Sequence, residues 1–420
     1  MMKWERLNAD EEIDVVRDMT GLALDTIGLC GFDYRFNSFY REDFHPFIDA
    51  LTRTLETCMN FKGIPFEKVL MSRAIKQMDI DVAYMNELVD EIIKERRRGG
   101  GGKQKDLLNF MLAGVDPATG EQLSDENIRY QINTFLIAGH ETTSGLLSFT
   151  LHYLLKHPAV LSRARAEVDA VLGNNISRTP TIAQIGKLEY TRAVLLEALR
   201  LWPTAPAFSV APFKDEIIGG KYPIPKGTFV TVLIPSLHRD KTIWGDSPDD
   251  FDPEHFSKTA EAARPSYAYK PFGNGQRACI GRQFALQEAV LVLGMILQRF
   301  KLFDHKAYNL NIKETLSIKP DGFKIKARLR DGLIRERVGA EDTIEATPTV
   351  KRRKHGGKLT ILYGSNLGTA ESYALELAQM GDINGFDTTL AELDDYADGL
   401  PVSGAVIIVT ASYNLSLIHI

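Results

Sequence analysis

The stretch Phe272-Gly273-Asn274-Gly275-Gln276-Arg277-Ala278-Cys279-Ile280-Gly281 decides the fold, and the apolar segment that follows it, 282–300, has the composition of a helix. Glycines at three positions of the stretch let the backbone pass close to a flat ligand. A helix N-terminus also stabilises negative charge on sulfur. The loop therefore predicts a cysteine thiolate, on Cys279, held at the start of a helix.

A second interpretation of this loop is a dinucleotide fingerprint. Gly273, Gly275 and Ala278 have the spacing of its small residues. However, no strand-helix-strand unit surrounds them, and Glu288 comes too early to serve as the acidic residue expected about 20 positions later. The sequence favours the thiolate interpretation.

Composition sets wide limits on function. The 420 residues suffice for two or three domains, and 44% hydrophobic content excludes wholesale disorder. Fifty basic against 55 acidic residues give a net charge of −5, so no nucleic-acid partner is expected. Three scattered cysteines, with Cys30 and Cys58 predicted to be buried and inert, fit a reducing compartment. We find neither a signal peptide nor a transmembrane segment and predict a cytoplasmic protein.

The pattern of apolar residues changes along the chain. Residues 1–330 are mainly helical, with strong helices predicted over 124–157, 187–201 and 282–300 and a β-like end at 316–328. Arg96-Arg97-Arg98 is predicted to be a solvated helix end. Residues 331–357 contain few large apolar side chains and are predicted to be a linker. Residues 358–420 alternate strand and helix, which predicts a separate α/β domain.

Two helices carry further candidate residues. On the helix 124–157, the small residues Ala138, Thr142 and Gly145 share one face, where a flat cofactor could lie, and the Gly and Thr content nearby predicts a local distortion. His140 is predicted to be an ordinary core or solvent-bridging histidine rather than a metal ligand. On the helix 187–201, apolar neighbours surround the charged residues of Glu197-Ala198-Leu199-Arg200, which predicts a buried ion pair.

The helix 124–157, the helix 187–201 and the loop 272–281 follow one another along the chain as the corresponding motifs do in cytochromes P450. The sequence resembles that family, and the resemblance implies its mainly α fold. It makes Cys279 the axial thiolate ligand of the iron of haem b, with Phe272 beside the sulfur and Arg277 on a propionate. It assigns Thr142 and Glu141 to the activation of dioxygen, with Ala138 lining the cofactor.

The resemblance is greatest to the self-sufficient fatty-acid hydroxylases of bacteria and fungi, in which a P450 is fused to its reductase. It implies an oxidoreductase that hydroxylates subterminal C–H bonds of fatty acids, with electrons passing from NADPH through FAD and FMN in cis, and it allows a homodimer. The segment after the first strand of 358–420 resembles the phosphate loop of flavodoxin-like FMN domains. A second FMN loop follows a later strand. The residues implied to contact FMN are Ser365, Asn366, Leu367, Gly368, Thr369, Ala370, Ser412, Tyr413 and Asn414.

The sequence also departs from this family. His255 stands where the family usually has an arginine that completes the network of Glu197 and Arg200. The family's P450 domain starts well before Trp4, and residues 415–420 do not follow its pattern. We therefore expect an N-terminally truncated P450 domain, residues 1–330, and a truncated flavodoxin-like domain, residues 358–420, with the last six residues non-native. The alternative function is that of a non-catalytic haem- or FMN-binding fragment.

Overall fold

The computed structural model describes residues 1–7, 11–40, 43–98, 105–116, 119–335, 357–364, 369–383, 385–397, 399–401 and 403–410. The chain divides into two compact units, Met1–Glu336 and Arg337–Ile420. Each unit is described by itself. The predicted linker, 331–357, lies mostly outside the described residues.

Helices dominate the first unit. Those described are α1 Met2–Arg6, α2 Val15–Phe32, α3 Pro46–Asn60, α4 Glu67–Leu70, α5 Ser72–Arg98, α6 Leu107–Ala113, α7 Asp125–Lys156, α8 Pro158–Leu172, α9 Ile182–Ile185, α10 Glu189–Leu201, α11 Ile234–Leu237, α12 Lys241–Trp244, α13 Lys258–Ala263 and α14 Arg282–Arg299. The strands are short: β1 Ile13–Asp14, β2 Ala207–Val210, β3 Glu216–Ile218, β4 Tyr222–Ile224, β5 Val230–Leu233, β6 Phe300–Phe303, β7 Ile312–Glu314, β8 Ile318–Pro320 and β9 Lys324–Leu329.

The strands of this unit pair antiparallel in small sheets. β9 lies between β1 and β6, with Ile13 opposite Ile325 and Phe300 opposite Leu329. The other described pairs are β2 with β5, β3 with β4, and β7 with β8. Because β8 also packs on α7, the β7–β8 pair places residues from the end of the unit beside its longest helix.

Two apolar cores hold the helices together. The larger core joins the second half of α7 to α8, α10 and α14, with Phe149, Leu195 and Leu293 fully buried. The smaller core joins α2, α3 and α5 to the first half of α7, around Phe47 and Leu136. Since α7 contributes to both cores, its central residues lie where the two meet.

Capping explains why α7 starts where the sequence predicts. The Ser124 hydroxyl accepts a hydrogen bond from the Asn127 backbone N–H, which satisfies one free donor of the first turn. Pro158 then ends α7 and opens α8 as its first residue, where a missing N–H costs nothing. None of the helices in the described ranges is both long enough and apolar enough to cross a bilayer.

The prediction for the basic run at the end of α5 is wrong for Arg96. Its guanidinium is buried and forms a bidentate ion pair with Asp106, at 2.7 Å for both hydrogen bonds, and it also donates to the Phe32 carbonyl. The sequence could not show this pairing because Asp106 lies beyond the glycine run, in a separate helix cap.

The second unit contains β10 Lys358–Gly364, α15 Thr369–Ile383, β11 Asp387–Glu392 and β12 Ala405–Thr410. Its sheet is parallel, in the order β11-β10-β12, with Ile361 opposite Leu390 and Ile407. A small core of Leu359, Ile361, Ala374 and Ala378 joins α15 to the sheet. The predicted alternation of strand and helix is present over the described part of this segment.

Candidate active site

The loop that carries Cys279 is bent back on itself before α14. The Cys279 backbone N–H donates to the Phe272 carbonyl at 2.8 Å and so closes the loop. Gly273 has a φ of +73°, a left-handed conformation that L side chains rarely adopt, so the turn needs glycine. Cys279 and Ile280 are exposed, the latter by 84%. The loop thus presents the thiol on the surface of the chain.

Cys279 stands three residues before the first residue of α14, whose N-cap is Gly281. A Cβ added to Gly281 would lie 3.9 Å from Cys279 Sγ, so glycine keeps the space beside the sulfur open. Cys279 therefore lies beside the N-terminus of an 18-residue helix, where the backbone N–H groups of the first turn point out of the helix.

Two other predicted residues lie in the same loop. Phe272 is partly buried and packs against the larger core, with the Arg282 guanidinium 5.6 Å from its ring centroid. Arg277 ends a short 3-10 turn, Gly275–Arg277, and is exposed. The loop therefore has one apolar anchor and an exposed cationic side chain two residues from the sulfur.

The small residues of α7 do not form one open face. Ala138 is exposed and Thr142 is half-buried, and the Thr142 hydroxyl donates to the Ala138 carbonyl at 2.8 Å. Gly145 is buried instead and packs closely against its neighbours. A Cβ added there would meet Thr204 at 2.8 Å and the Ile318 carbonyl at 3.0 Å. Its inclusion in a cofactor face was wrong. The helix is α-helical from Asp125 to Lys156, so the predicted distortion is not observed.

Glu141 points away from this face towards β8. One carboxylate oxygen accepts from Lys319 Nζ at 2.8 Å and the other from Ser317 Oγ at 2.9 Å. Burial raises the pKa of Glu141, but the Lys319 ammonium and these hydrogen bonds outweigh it and hold the pKa below its ordinary value. Glu141 is therefore an ion-paired carboxylate next to Thr142.

His140 is a core residue, as predicted. Its ring is buried, and Nδ1 lies 2.6 Å from the Leu136 carbonyl. Burial lowers the pKa of His140 to about 4, so the ring is neutral near pH 7.

The buried ion pair of Glu197 and Arg200 is confirmed, with both side chains fully buried. Arg200 donates from Nε and Nη2 to the two carboxylate oxygens at 2.8 and 2.7 Å. It also donates to the carbonyls of His238, Pro248 and Asp250. The pair thus ties α10 to the loops that precede the cysteine loop.

His255 joins this network at its edge. Its Nδ1 lies 3.2 Å from Glu197 Oε1, which also accepts from the Asp252 backbone N–H at 2.9 Å. Arg264 donates to the His255 carbonyl, and its guanidinium lies 4.4 Å from the Trp244 ring centroid. Arg200 lies 4.9 Å from the same centroid, so Trp244 contacts two guanidinium groups.

Sequence reasoning missed Lys319, Ser317 and His238. Lys319 and Ser317 follow Glu141 by 178 and 176 residues, and no local pattern announces such a contact. His238 stands in Leu237-His238-Arg239-Asp240, where neither periodicity nor composition distinguishes it.

Both cysteines predicted to be buried, Cys30 and Cys58, are exposed. Each lies on a helix whose apolar neighbours led to the prediction, but each falls on the outer side. Cys279 remains the cysteine with a distinctive backbone setting.

Most residues predicted to contact FMN, Ser365–Gly368 and Ser412–Asn414, lie outside the described residues. Of the remainder, Thr369 is the first residue of α15, and the Ala370 side chain is 3% exposed. A contact from Ala370 to a ligand would therefore use its backbone N–H.

The donor chemistry of the cysteine loop fits haem. Among the described residues, no group of three or more His, Cys, Asp or Glu side chains could hold a metal ion. A single thiolate on glycine-rich backbone suits a metal whose other ligands come from its own flat macrocycle. Cys279 would ligate that iron, and the exposed Arg277 is the cation available for a propionate.

The fold, the cysteine loop and the buried pair on α10 define a haem-thiolate class of protein. Residues 1–327 match the Cytochrome P450 family, and the chain belongs to that family. Among individual relatives, the chain is 54% identical over 418 residues to "Bifunctional cytochrome P450/NADPH--P450 reductase 2" of Bacillus subtilis (strain 168), covering 99% of this chain and 39% of the relative.

Fungal relatives match as well. The chain is 43% identical over 428 residues to "Self-sufficient cytochrome P450 monooxygenase CYP505E3" of Phanerodontia chrysosporium, covering 98% of this chain and 40% of the relative. The chain therefore spans about two fifths of the length of these relatives.

Proposed function

We propose that this chain forms the haem-binding catalytic part of a monooxygenase that hydroxylates fatty acids at subterminal C–H bonds, with electrons from NADPH through FAD and FMN. The observation that carries the proposal is the closed loop that holds Cys279 ahead of α14. Membership of the P450 family and the names of the fused relatives support the reaction class. The fatty-acid substrate rests on the resemblance alone.

Bound haem would supply the oxidising chemistry of the reaction. The protein's part begins with Cys279, which lies three residues before α14, where a helix N-terminus would stabilise negative charge on a metal-bound sulfur. Thr142 is the hydroxyl on the open side of α7, and its proton goes to the Ala138 carbonyl, which leaves its oxygen lone pairs free to accept. Glu141 is the adjacent residue of α7, and its carboxylate is held on the β8 side by Lys319 and Ser317.

The pairing of Glu141 with Lys319 gives the carboxylate a defined protonation state. At neutral pH the Glu141 carboxylate is ionised, because its pKa is lowered. The Glu141 side chain is 17% exposed, so water can reach it. The Thr142 hydroxyl on the open side of α7 supports a proton-delivery role for Thr142, and the part of Glu141 in that delivery rests on the resemblance.

The proposal is tested with purified chain reconstituted with haem. We expect the reduced, CO-bound form to show the red-shifted band of thiolate ligation, and a medium- or long-chain fatty acid to perturb the oxidised Soret band. In Cys279→Ala that band should be lost. Cys30→Ala, at a cysteine outside such a loop, is the matched control and should keep the CO band. A fatty acid that leaves the Soret band unchanged, where another apolar compound shifts it, would refute the substrate class.

We propose further that residues 358–420 begin a flavodoxin-like FMN domain. The parallel order β11-β10-β12 is that of the first three strands of flavodoxin-like sheets. A helix that starts directly after the β10 loop would offer its N-terminus to a phosphate. Titration with FMN, followed by quenching of flavin fluorescence, tests this; unchanged fluorescence at micromolar protein would contradict it.

A second candidate is a chain that binds haem or FMN without turnover. NADPH-driven product formation separates the two candidates. Turnover by this chain with an added reductase would exclude the second.

A further inference from the structure

A hydrogen-bonded path connects the buried pair on α10 to the cysteine loop, and His238 lies in its middle. The His238 ring is fully buried. Its Nδ1 lies 3.0 Å from the Arg200 carbonyl, and its Nε2 accepts from the Lys270 backbone N–H at 3.0 Å. Lys270 stands two residues before Phe272, whose carbonyl binds the Cys279 N–H.

These partners fix the tautomer of the ring. An N–H donor at Lys270 requires a lone pair on Nε2, so the proton is on Nδ1 and goes to the Arg200 carbonyl. Burial lowers the pKa of His238 to about 4, so this neutral form is the one present near pH 7. The ring therefore makes both bonds under ordinary conditions.

His238 is also held in place by its neighbours. Its carbonyl accepts from Arg200 Nη1 at 2.9 Å, so the residue contacts Arg200 twice. Its ring stacks on Tyr269 with centroids 4.9 Å apart, and the Tyr269 hydroxyl donates to the Leu196 carbonyl at 2.8 Å. Histidine and tyrosine together fasten the segment before the cysteine loop to α10.

We propose that His238 is a positioning residue that transmits the fixed geometry of the Glu197–Arg200 pair to the start of the cysteine loop, and so sets the position of Cys279. The inference rests on the proposed haem-thiolate function for its consequence, but its structural part concerns the protein alone. An aromatic residue of the same size would fill the space and leave the Lys270 N–H without a partner.

Hydrogen exchange of this chain without haem tests the structural part. His238→Asn keeps a donor near the Nδ1 position and has no atom that reaches Lys270. We expect the amides of Lys270 and Cys279 to exchange about tenfold faster in this variant, as loss of one buried acceptor predicts. His238→Gln, whose side-chain oxygen can reach Lys270, should restore most of the protection.

His152 provides the matched control. It is also buried, its pKa is also lowered to about 4, and it lies among aromatic rings on α7 rather than beside the loop. His152→Asn should leave the amides of residues 270–279 unchanged. Unchanged protection of Lys270 and Cys279 in His238→Asn, or an equal rise over α8 and α10, would overturn the proposal.

The haem-loaded chain gives the second readout. We expect His238→Asn to bind as much haem as the unsubstituted chain but to show a smaller fraction of the thiolate-type CO band. His238→Gln should recover that fraction. If the unsubstituted chain binds no haem, the proposed function fails while the exchange result still decides the role of His238. A full thiolate band in His238→Asn would contradict the effect on Cys279.

Discussion

Two buried glutamates of the first unit, Glu197 on α10 and Glu288 on α14, differ in their partners and therefore in their charge. Glu197 is fully buried and accepts four hydrogen bonds, from Arg200, Asp252 and His255. Glu288 is 6% exposed, and within the described residues neither carboxyl oxygen has a hydrogen-bond partner of good geometry. The nearby Thr26 hydroxyl gives its proton to the Leu22 carbonyl.

The pKa values follow the partners. Burial raises the pKa of both groups, but for Glu197 the hydrogen bonds and charge of Arg200 and the bond from His255 outweigh burial and lower it. For Glu288 burial prevails and raises the pKa to about 8. Two buried glutamates thus carry different charges near pH 7, an anion on α10 and a neutral acid on α14, and the anion is the one that organises the loops before Cys279.

Removal of the partner of Glu197 should have the largest effect. Arg200→Met leaves a buried carboxylate without its cation, and we expect it to lower the free energy of unfolding by about 3–5 kcal/mol. Trp4, Trp202 and Trp244 all lie in the first unit, so tryptophan fluorescence during denaturant unfolding measures this effect.

The control for this substitution is Arg97→Met. Arg97 pairs with Asp125, but both side chains are about half exposed, so the loss should stay below about 1 kcal/mol. Equal losses in Arg200→Met and Arg97→Met would contradict the structural role of the buried pair.

Glu288→Gln should stabilise the chain in alkaline solution. Because the folded pKa is raised, the contribution of Glu288 to stability is full below about pH 4.5 and is lost as the pH rises through about 8. The glutamine variant has no such loss. We expect it to match the unsubstituted chain at pH 5 and to exceed it by about 1–3 kcal/mol at pH 8 to 9. Parallel pH profiles of the two proteins would show that Glu288 is ionised in the folded state.

The Glu141–Lys319 pair is intermediate in exposure between the buried Glu197–Arg200 pair and the exposed Arg97–Asp125 pair. Its side chains are 17% and 11% exposed, so Lys319→Met should cost about 1–2 kcal/mol, less than Arg200→Met. The substitution also removes the charge that lowers the pKa of Glu141, so the stability that this carboxylate contributes above about pH 4.5 is reduced. Urea unfolding at pH 7 and pH 4 measures both effects.

The matched control at this pair is Ser317→Ala, which removes a neutral hydrogen bond and keeps the ion pair. It should cost about 1 kcal/mol or less. A larger cost for Ser317→Ala than for Lys319→Met would contradict the importance of the charge.

The smallest effect should come from His255. Glu197 keeps both bonds from Arg200 and the bond from the Asp252 N–H in His255→Gln, so we expect a change below about 1 kcal/mol. Urea unfolding at pH 7 measures it. A loss as large as that of Arg200→Met would show that His255 fully replaces the arginine usual in the family.

Much of the fold could be predicted from local patterns. The Ser124 cap and Pro158 mark the ends of α7, and the apolar runs of 358–410 predict β10, α15, β11 and β12, although β12 is mostly exposed rather than buried. These signals are local because capping, proline and apolar periodicity act within a few residues.

Contacts between distant residues could not be predicted in this way. Gly145 looked like part of an open face, but its role is to let Thr204 and β8 approach α7. Arg96 looked solvated, but it pairs with Asp106, and Lys319 gave no sign of its bond to Glu141. Each of these depends on tertiary packing, which periodicity does not encode.

The central claim is that Cys279 is a haem-ligating thiolate, and the CO-difference spectrum of the reduced, haem-reconstituted chain tests it most directly. We predict the red-shifted thiolate band in the unsubstituted chain and its complete loss in Cys279→Ala. Persistence of that band in Cys279→Ala would contradict the account.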